Sequence, residues 1–408
     1  MALPKQGLAR EDVLGRMRER KQRDADWRGA RTWSLVYPAG PDVDEMLRDA
    51  NELYLYENAL NPFRFPSLRE MEVEVVGIGG ELLHAPEGFG GAMTSGGTES
   101  ILLGVLTARE RAKAERGVEH GQLLAPYSAH PAFAKAAKVL GLELVQAPLD
   151  ADRRADVSEV EKLLTKDTVL VVGSAPNYPF GTVDPIPELA ALAAERGISF
   201  HTDSCLGGFL LPFYEKLGEP VPPFDFRVPG VSTMSADVHK YGYCTKGASL
   251  ILHREDRSLK QHQLFVFDRW PGGGYASFAM AGARPAAPIA AAWAILHHLG
   301  EDGYLRLATA VRDTTQKLQR GIAAIPGLHV LAEPVMSVFA FGSDRADVFA
   351  IGDAMDAKGW HLDRQKGPDA LHLMVSPEHA KVADRFLADL REAAANPGRS
   401  QGKEARYS

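Results

Sequence analysis

The stretch VSTMSADVHKYGYCTKGASLILHRE, residues 231–255, places a group of reactive side chains between two apolar segments. The flanking segments have the length and composition of buried β-strands. Lys240 lies between them, preceded by His239 and followed by Tyr241. Burial lowers the pKa of a lysine ammonium and yields a nucleophilic amine, which is what a Schiff-base lysine requires. A solvated lysine at a strand end is the alternative interpretation of this stretch taken alone.

The composition indicates a soluble globular chain with a large core. Of 408 residues, 45% are hydrophobic and 24% are charged, which predicts one large domain with a smaller one attached. The net charge of -7 offers no basic surface, so we expect no nucleic-acid partner. The two cysteines, Cys205 and Cys244, are too few for a disulfide framework and favour a reducing compartment, which predicts a cytoplasmic protein. We expect no signal peptide and no transmembrane segment.

A second stretch, residues 90–117, is a glycine turn that opens into an amphipathic helix, GGAMTSGGTESILLGVLTARERAKAERG. Gly96 and Gly97 allow a ligand to approach the backbone closely. Free N–H groups at Thr98 and Glu99 would face that ligand at the positive end of the helix, which predicts a phosphate site. An N-cap with a flexible lead-in is equally consistent with this stretch alone. The stretch matches neither a Walker loop nor the GxGxxG pattern.

From residue 122 onward, short apolar segments alternate with helical segments. The strand candidates are QLLAPY, LELVQAP, TVLVVGS and ISFHTD. This alternation predicts an α/β fold with a mostly parallel, doubly wound sheet. Ligands bind such sheets at the carboxyl ends of the strands. We therefore expect the residues that follow these strands to meet at one rim, namely His130, Asn177, Tyr178 and Asp203.

The two ends of the chain are expected to form an arm and a second domain. Residues 1–60 predict an N-terminal helical arm that packs on a partner subunit. Ser67 and Glu70 have the spacing of a capping box ahead of a further helix. After Pro285, two helices at 289–299 and 304–325 precede short strands and two more helices. We therefore predict a large cofactor-binding domain at 61–287, a small C-terminal α+β domain at 288–395, and a disordered tail at 396–408.

The candidate residues together match the needs of one cofactor, pyridoxal 5′-phosphate. Its aldehyde requires an amine, here Lys240, and its pyridine nitrogen requires a carboxylate, here Asp203. The helix start near Gly97 would bind the phosphate, and His130 can stack on the ring. Asp203 alone is equally consistent with a turn or cap residue. The order of these features along the chain favours the cofactor, and we assign no metal ligands.

The motifs resemble those of the group II pyridoxal-phosphate decarboxylases, and most closely those of the sphingosine 1-phosphate lyase family. The similarity extends from about residue 36 to residue 285 and rests on TSGGTES, SAHPAF, GSAPNYPFGTVDPIPELA, HTDSCLGGFLLPF, PPFDF, SADVHKYGYCTKG and WPGGGY. The resemblance implies the fold of type I pyridoxal-phosphate enzymes, which is similar to that of aspartate aminotransferase.

The resemblance also implies a role for each matching residue. Lys240 would be the Schiff-base lysine, Asp203 the partner of the pyridine nitrogen, and His130 the stacking histidine. Tyr37 and Lys246 would join them in catalysis. The other cofactor contacts would be Ser95, Gly96, Gly97, Thr98, His201 and His239. The residues around the substrate would be Tyr37, Asn58, Asn61, Lys246 and Tyr275, the last contributed by a neighbouring subunit.

Two positions depart from the family pattern. The family loop NPLHP reads NALNP at residues 58–62, so that Asn61 replaces a histidine that faces the substrate phosphate. The family turn GSRP reads GARP, with Ala283 in place of the serine. The first change removes a potential cation and the second removes a hydroxyl donor. Both concern the substrate rather than the cofactor.

By resemblance, the expected function is a carbon–carbon lyase of sphingolipid metabolism. It would split a phosphorylated 2-amino-3-hydroxy substrate with an apolar tail into a fatty aldehyde and phosphoethanolamine by a retro-aldol reaction. An amino acid decarboxylase with the same cofactor is the alternative within the fold. A catalytically silent regulatory or scaffold protein is the alternative of another class. The family further implies a homodimer with shared active sites.

Overall fold

The central element of the fold is a seven-stranded sheet. The structure is a computed structural model that describes residues 2–400. The strands of the sheet are β1 (Gly90–Thr94), β2 (Gln122–Pro126), β3 (Glu143–Ala147), β4 (Thr168–Ser174), β5 (Ser199–Asp203), β6 (Val231–Ala236) and β7 (Ser249–His253). They lie in the order β1-β7-β6-β5-β4-β2-β3. The five strands β3, β2, β4, β5 and β6 are parallel to one another, whereas β7 is antiparallel to both β6 and β1. The mostly parallel sheet expected from the sequence is thereby confirmed.

Helices surround this sheet. They are α1 (Arg10–Lys21), α2 (Pro41–Leu53), α3 (Pro66–Leu82), α4 (Gly97–Arg116), α5 (Ala132–Leu140), α6 (Val157–Leu163), α7 (Ile186–Glu195), α8 (Leu211–Lys216), the short α9 (Asp256–Ser258), α10 (Ala287–Ala323), α11 (Val348–Ala357) and α12 (Ala383–Ala395). Helix α4 packs on β4 to β7, and α7 packs on β4 and β5. Strand β4 is buried along its whole length, as expected of a parallel strand that is covered on both faces.

A second, antiparallel sheet lies in the C-terminal part of the chain. It contains β10 (Leu328–Val330), β11 (Val338–Ser343), β12 (Asp363–Gln365) and β13 (Ala370–Met374) in the order β10-β11-β13-β12. Its core also includes Trp33 from the N-terminal segment, which is fully buried and stacks on His379 with the ring centroids 4.0 Å apart. The arm thus packs into the small C-terminal unit of its own chain.

A two-stranded hairpin extends from the large unit. Its strands are β8 (Phe265–Phe267) and β9 (Tyr275–Ser277), which pair antiparallel with each other alone. Phe265, Val266, Phe267 and Trp270 are all exposed. The hairpin therefore presents apolar side chains that no part of residues 2–400 covers.

One local expectation is confirmed and another is wrong. The two helices expected at 289–299 and 304–325 are the two halves of α10, which are separated by the non-helical backbone of Gly300, where φ is 54° and ψ is -176°. The capping box at Ser67 and Glu70 does not form, because α3 begins at Pro66 and no side chain caps its start. Ser67 therefore lies inside the helix rather than before it.

The ends of the chain are only partly described. Helix α1 is present as expected, and none of its residues is buried in this chain. Of the tail expected at 396–408, residues 401–408 lie outside the described residues, and residues 396–400 form no helix or strand. Among residues 2–400, no helix is both long and apolar enough to cross a bilayer.

Candidate active site

A cavity of about 410 Å³ opens at the carboxyl ends of the parallel strands. It lies between the start of α4 and the loops that follow β2, β4, β5 and β6, as the position rule for such sheets requires. The structure brings together here most of the predicted cofactor residues, namely Ser95, Gly96, Gly97, Thr98, His130, Asp203, His239 and Lys240. The cavity is also lined by Tyr178, Ser174, Cys205 and Asp237.

Lys240 is paired with a carboxylate that sequence reasoning did not identify. Its Nζ lies 3.0 Å from Oδ2 of Asp237, which is almost fully buried. Burial lowers the pKa of Lys240, but the charge of Asp237 more than compensates, and the pKa lies well above its ordinary value. The expectation that burial would leave a neutral amine is therefore wrong for the chain without its cofactor. Lys240 is an ammonium ion until its proton is removed.

Asp237 is in turn held against the start of α4. Burial alone would raise its pKa, yet Lys240 and His239 lower it far below its ordinary value. Its other oxygen, Oδ1, is buried without a hydrogen-bond partner among the described residues. A Cβ atom at Gly97 would lie 2.8 Å from both Asp237 Oδ2 and Cys205 Sγ, so only glycine fits this position. The signal in the sequence is the position of Asp237 three residues before Lys240.

The start of α4 forms the expected cradle of free backbone N–H groups for a phosphate, but one of the two expected amides is not part of it. Glu99 donates its backbone N–H to Gly96 O at 2.9 Å, so the free amide expected there is not available. The amides of Gly97 and Thr98 have no partner among the described residues and lie at the positive helix end. The backbone N–H and hydroxyl of Ser95 donate to Oε2 of Glu99 at 2.7 and 2.5 Å. The Ser95 hydroxyl is thus engaged by Glu99, whereas the backbone amides of Gly97 and Thr98 face the cavity.

Asp203 ends β5 with one of its oxygens already engaged. Its Oδ1 accepts from the Cys205 backbone N–H and from the Ser235 hydroxyl, both at 3.1 Å. His201, which was expected to contact the cofactor, does not line the cavity. It is completely buried behind Ser235, with Nε2 3.1 Å from the Ser235 hydroxyl. Sequence spacing could not distinguish these positions, because both residues lie on β5, two positions apart.

His130 is a neutral ring at the cavity wall. The Ala132 backbone N–H donates to His130 Nδ1 at 3.1 Å, which leaves the proton of the neutral ring on Nε2. Burial lowers the pKa of His130, and the charge of Asp203 opposes this change only in part. A neutral, half-buried imidazole at this position can lie against an aromatic ligand without carrying charge into the site.

Lys246 and Tyr37 lie together beside the cavity. The Lys246 ammonium donates to the backbone oxygen of His239 at 3.0 Å and lies 4.7 Å from the centre of the Tyr37 ring. The surrounding protein and then the charge of Lys240 lower the pKa of Lys246 to about 8. The Tyr37 hydroxyl donates to the sulfur of Met374 at 3.3 Å. The structure therefore places next to the cofactor residues an amine that is positively charged below about pH 8 and neutral above it.

None of the five predicted substrate residues lines the cavity: Tyr37 and Lys246 lie beside it, and Asn58, Asn61 and Tyr275 have other positions. The side-chain oxygen of Asn58 accepts from the backbone of Leu60 and Arg284, and that of Asn61 accepts from Phe63 and Arg64. Tyr275 lies on the hairpin strand β9. None of the three lines the cavity described above.

Tyr178 was placed at the rim by the sequence but given no function. It lines the cavity, and its hydroxyl donates to Oδ2 of Asp363 on β12 at 2.6 Å. The ring stacks on His372 with centroids 4.1 Å apart. Tyr178 thus links the cavity to the C-terminal unit, a long-range contact that no local pattern could have revealed.

The donor set fits pyridoxal 5′-phosphate. A lysine amine, a carboxylate, a neutral imidazole and two unpaired backbone amides surround one cavity. Ser174 also lines it with a hydroxyl that is buried without a partner among residues 2–400. These groups match the aldehyde, the pyridine nitrogen, the ring face and the phosphate of the cofactor.

Comparisons with known proteins agree with this geometry. The conserved domain described as "Pyridoxal-dependent decarboxylase conserved domain" matches residues 27–343. Sphingosine-1-phosphate lyase of Arabidopsis thaliana is 41% identical over 97% of this chain and 74% of its own length. Sphingosine-1-phosphate lyase 1 of Rattus norvegicus is 39% identical over 96% of this chain and 69% of its own length.

Solved structures give the same result. A sphingosine-1-phosphate lyase from Burkholderia pseudomallei superposes with a TM-score of 0.94 at 40% identity, covering 97% of this chain and 93% of that one. Glutamate decarboxylase of Lactobacillus brevis superposes with a TM-score of 0.85 at 21% identity, covering 97% of this chain and 94% of that one, which shows a common fold. The cofactor of this chain is pyridoxal 5′-phosphate. The chain belongs to the pyridoxal-dependent decarboxylase family and, within it, to the sphingosine-1-phosphate lyases.

Proposed function

We propose that this chain is a lyase that breaks the Cα–Cβ bond of a phosphorylated 2-amino-3-hydroxy substrate with an apolar tail. The products would be a fatty aldehyde and phosphoethanolamine. The observation that carries the proposal is the position of Lys246, a cation beside the cavity that holds Lys240, His130 and Asp203. A cofactor site alone would serve many reactions, whereas a cation next to it provides for an anionic substrate.

The cofactor would be held by four kinds of contact. We assign the phosphate to the backbone amides of Gly97 and Thr98, the pyridine nitrogen to Asp203, the ring face to His130 and the aldehyde to the amine of Lys240. When bound, pyridoxal 5′-phosphate supplies an electron sink that accepts the pair left by the broken bond. His239 lies beside the phosphate contacts, where its Cε1 would be 3.3 Å from a Cβ at Gly96.

Proton transfer is assigned to Lys240 and Asp237. Because Asp237 keeps the pKa of Lys240 high, a released Lys240 side chain is an ammonium that can donate a proton from Nζ. The 3-hydroxyl group of the substrate loses its proton as the aldehyde leaves, and the cleaved carbon gains a proton, which completes formation of the amine product. Asp237 holds Nζ in place, since its Oδ2 is 3.0 Å away.

The substrate phosphate is assigned to Lys246, with Tyr37, Asn58 and Asn61 contributing further contacts. Lys246 provides the charge, and the amide groups of the asparagines provide neutral donors. Tyr275 is assigned to the site of a partner subunit.

Product analysis tests the proposal. The purified protein with its cofactor is incubated with sphingosine 1-phosphate, and fatty aldehyde and phosphoethanolamine are measured. Equal amounts of the two products are expected. Release of carbon dioxide from an amino acid, without aldehyde from the phosphorylated amino alcohol, would identify a decarboxylase instead. Absence of turnover with either class would support a regulatory or scaffold protein.

We further propose a cytoplasmic homodimer with shared active sites. The exposed apolar side chains of Phe265, Phe267 and Trp270 on the hairpin support a subunit contact. The two buried free cysteines, Cys205 and Cys244, support a reducing compartment. We propose the division into an arm, a large domain, a small domain and a tail at the boundaries given above.

A further inference from the structure

A chain of buried hydrogen bonds runs from the interior of the sheet to Asp203. The Thr233 hydroxyl lies 2.8 Å from Nδ1 of His201, and Nε2 of His201 lies 3.1 Å from the Ser235 hydroxyl. Ser235 in turn lies 3.1 Å from Oδ1 of Asp203. His201 and Ser235 are completely inaccessible to solvent, so no water competes for these bonds.

The hydrogen bonds of this chain can point in one direction only. An ionised carboxylate accepts hydrogen bonds, so the single hydroxyl proton of Ser235 is donated to Asp203. The Ser235 oxygen must then accept from His201, which places the ring proton on Nε2. Nδ1 of His201 is left as an acceptor for the Thr233 hydroxyl. Cys205 adds a second donor to Ser235, with Sγ 3.3 Å from the hydroxyl oxygen.

The protonation states of the surrounding groups agree with this direction. Burial lowers the pKa of His201 to about 4, and burial raises the pKa of the Cys205 thiol, so His201 is neutral and Cys205 keeps its proton. The other titratable groups that act on His201 are Asp203 and the buried His253, whose pKa is also about 4. Gly104 of α4 leaves room for His201, because a Cβ atom there would lie 3.0 Å from Nδ1.

We propose that Ser235 and His201 are positioning residues that hold Asp203 as an oriented anion for the cofactor ring nitrogen. The two donors to Asp203 both bind Oδ1, which leaves its second oxygen for a group in the cavity. The inference rests on the role proposed for Asp203 and does not depend on which bond of the substrate is broken. It assigns to His201 an indirect effect on the cofactor in place of the direct contact expected from the sequence.

Cofactor affinity tests the proposal when two cofactors are compared. The dissociation constants of pyridoxal 5′-phosphate and of its 1-deaza analogue, in which a C–H group replaces the ring nitrogen, are measured by equilibrium dialysis against the full-length apoprotein. Ser235→Ala is expected to weaken the natural cofactor about tenfold or more, because a hydrogen bond to a charged group is lost. The same change should leave affinity for the analogue nearly unaltered, since no ring nitrogen depends on Asp203.

Matched variants separate this effect from a loss of packing. Thr202→Val removes a neighbouring buried hydroxyl that has no partner among the described residues, so it should change neither constant. His201→Gln retains a side-chain donor and should lie closer to the wild type than His201→Leu. Equal weakening of both cofactors by Ser235→Ala and by His201→Leu would overturn the proposal.

A further variant distinguishes failure of this inference from failure of the role given to Asp203. Asp203→Ala should weaken the natural cofactor and spare the analogue. If Asp203→Ala discriminates between the cofactors and Ser235→Ala does not, only the inference about Ser235 and His201 fails. If Asp203→Ala weakens both equally, the proposed contact between Asp203 and the ring nitrogen is itself wrong.

Discussion

At the scale of single residues, the paired charges of the site decide its chemistry more than burial does. Burial opposes the charge on Lys240, but the carboxylate of Asp237 at 3.0 Å outweighs it. At His201 the charge of Asp203 opposes the effect of burial only in part, so the pKa is lowered and the ring stays neutral. A buried ionisable group therefore keeps or loses its charge according to its partner. The partner of Lys240 is visible only in three dimensions.

Removing the carboxylate should make Lys240 reactive at lower pH. In Asp237→Asn, burial is no longer opposed by the nearest negative charge, so the pKa of Lys240 should fall. The measurement is the rate at which the apoprotein captures pyridoxal 5′-phosphate, trapped by borohydride reduction, as a function of pH. The profile should move to lower pH. Asp203 raises the pKa of Lys240 less than Asp237 does, so Asp203→Asn should shift the pH profile less. An unchanged profile in Asp237→Asn would contradict the pairing of Asp237 with Lys240.

Lys240 itself should be essential for both colour and turnover. Lys240→Ala is expected to lack the visible absorbance of the attached cofactor and to have no lyase activity. Asp203→Ala should retain some cofactor and yet lose turnover, because the ring nitrogen loses its charged partner. Absorbance spectra and product assays on the two variants check this. Normal turnover in Asp203→Ala would remove it from the mechanism.

Binding of the phosphorylated substrate should weaken as the pH rises. The pKa of Lys246 is about 8, so its positive charge is present below that pH and is lost as the pH passes through it. The KM for sphingosine 1-phosphate should therefore rise above about pH 8. Lys246→Gln should have a high KM that does not vary in this range. A KM in the wild type that stays constant across pH 8 would argue against a phosphate contact.

The family departure at Asn61 should be reversible. Asn61→His adds a potential cation, and a charge-assisted hydrogen bond exceeds a neutral one by enough to strengthen binding about tenfold. Steady-state kinetics on the phosphorylated substrate and on its dephosphorylated counterpart measure the effect. The gain should appear only with the phosphorylated compound. Equal gains with both would show that residue 61 does not face a phosphate.

At the scale of elements, the start of α4 has no room for a side chain at Gly97. Gly97→Ala would bring a Cβ atom within 2.8 Å of Asp237 and Cys205, which forces apart the cradle and the Lys240 pair. Cofactor affinity, measured by dialysis, should fall at least tenfold. Gly77→Ala in α3 is the matched control, because a Cβ there meets nothing within 4 Å. That change should leave affinity intact and stabilise the helix by about 0.5–1 kcal/mol in a denaturant titration.

Sequence patterns predicted the helices and strands themselves better than they predicted the hydrogen bonds at the ends of these elements. The strands β2 to β5 follow from apolar segments bounded by helices, and the carboxyl-end rule located His130 and Asp203 correctly at one cavity. The errors concern hydrogen bonds at element ends. Ser67 has the spacing of a cap but lies within α3, and Glu99 donates its amide to Gly96. Such details depend on which neighbouring acceptor is nearest, and the residue pattern does not specify it.

At the scale of the whole molecule, the N-terminal segment closes on the end of its own chain. The Trp33 backbone N–H donates to the His361 backbone oxygen, and the Trp33 backbone oxygen accepts from the Met374 N–H. The Trp33 ring lies in the core around Phe386. For helix α1, which has no buried residue in this chain, packing on a partner subunit stays a prediction. Contacts separated by more than 300 positions leave no local trace in the sequence.

The exposed hairpin leads to the last prediction, which concerns subunit sharing. Tyr275 lies outside the cavity of its own chain, on a strand whose apolar neighbours are exposed. If it completes the site of a second subunit, a Lys240→Ala chain and a Tyr275→Phe chain have complementary defects. Their heterodimer would contain one site with both native residues, so mixing two inactive proteins should restore roughly a quarter of the wild-type activity after random exchange.

The control for this experiment is subunit exchange itself, followed by native mass spectrometry of the mixture. Each parent protein remixed with itself should stay inactive. Activity that returns only when heterodimers form would assign Lys240 and Tyr275 of one site to different chains. Heterodimers without activity would mean that Tyr275 serves its own chain, and a protein that stays monomeric would exclude sharing altogether. The physical reason to expect recovery is that Tyr275 lies on a hairpin whose apolar side chains Phe265, Val266 and Phe267 are exposed, and not in the cavity lining of its own chain.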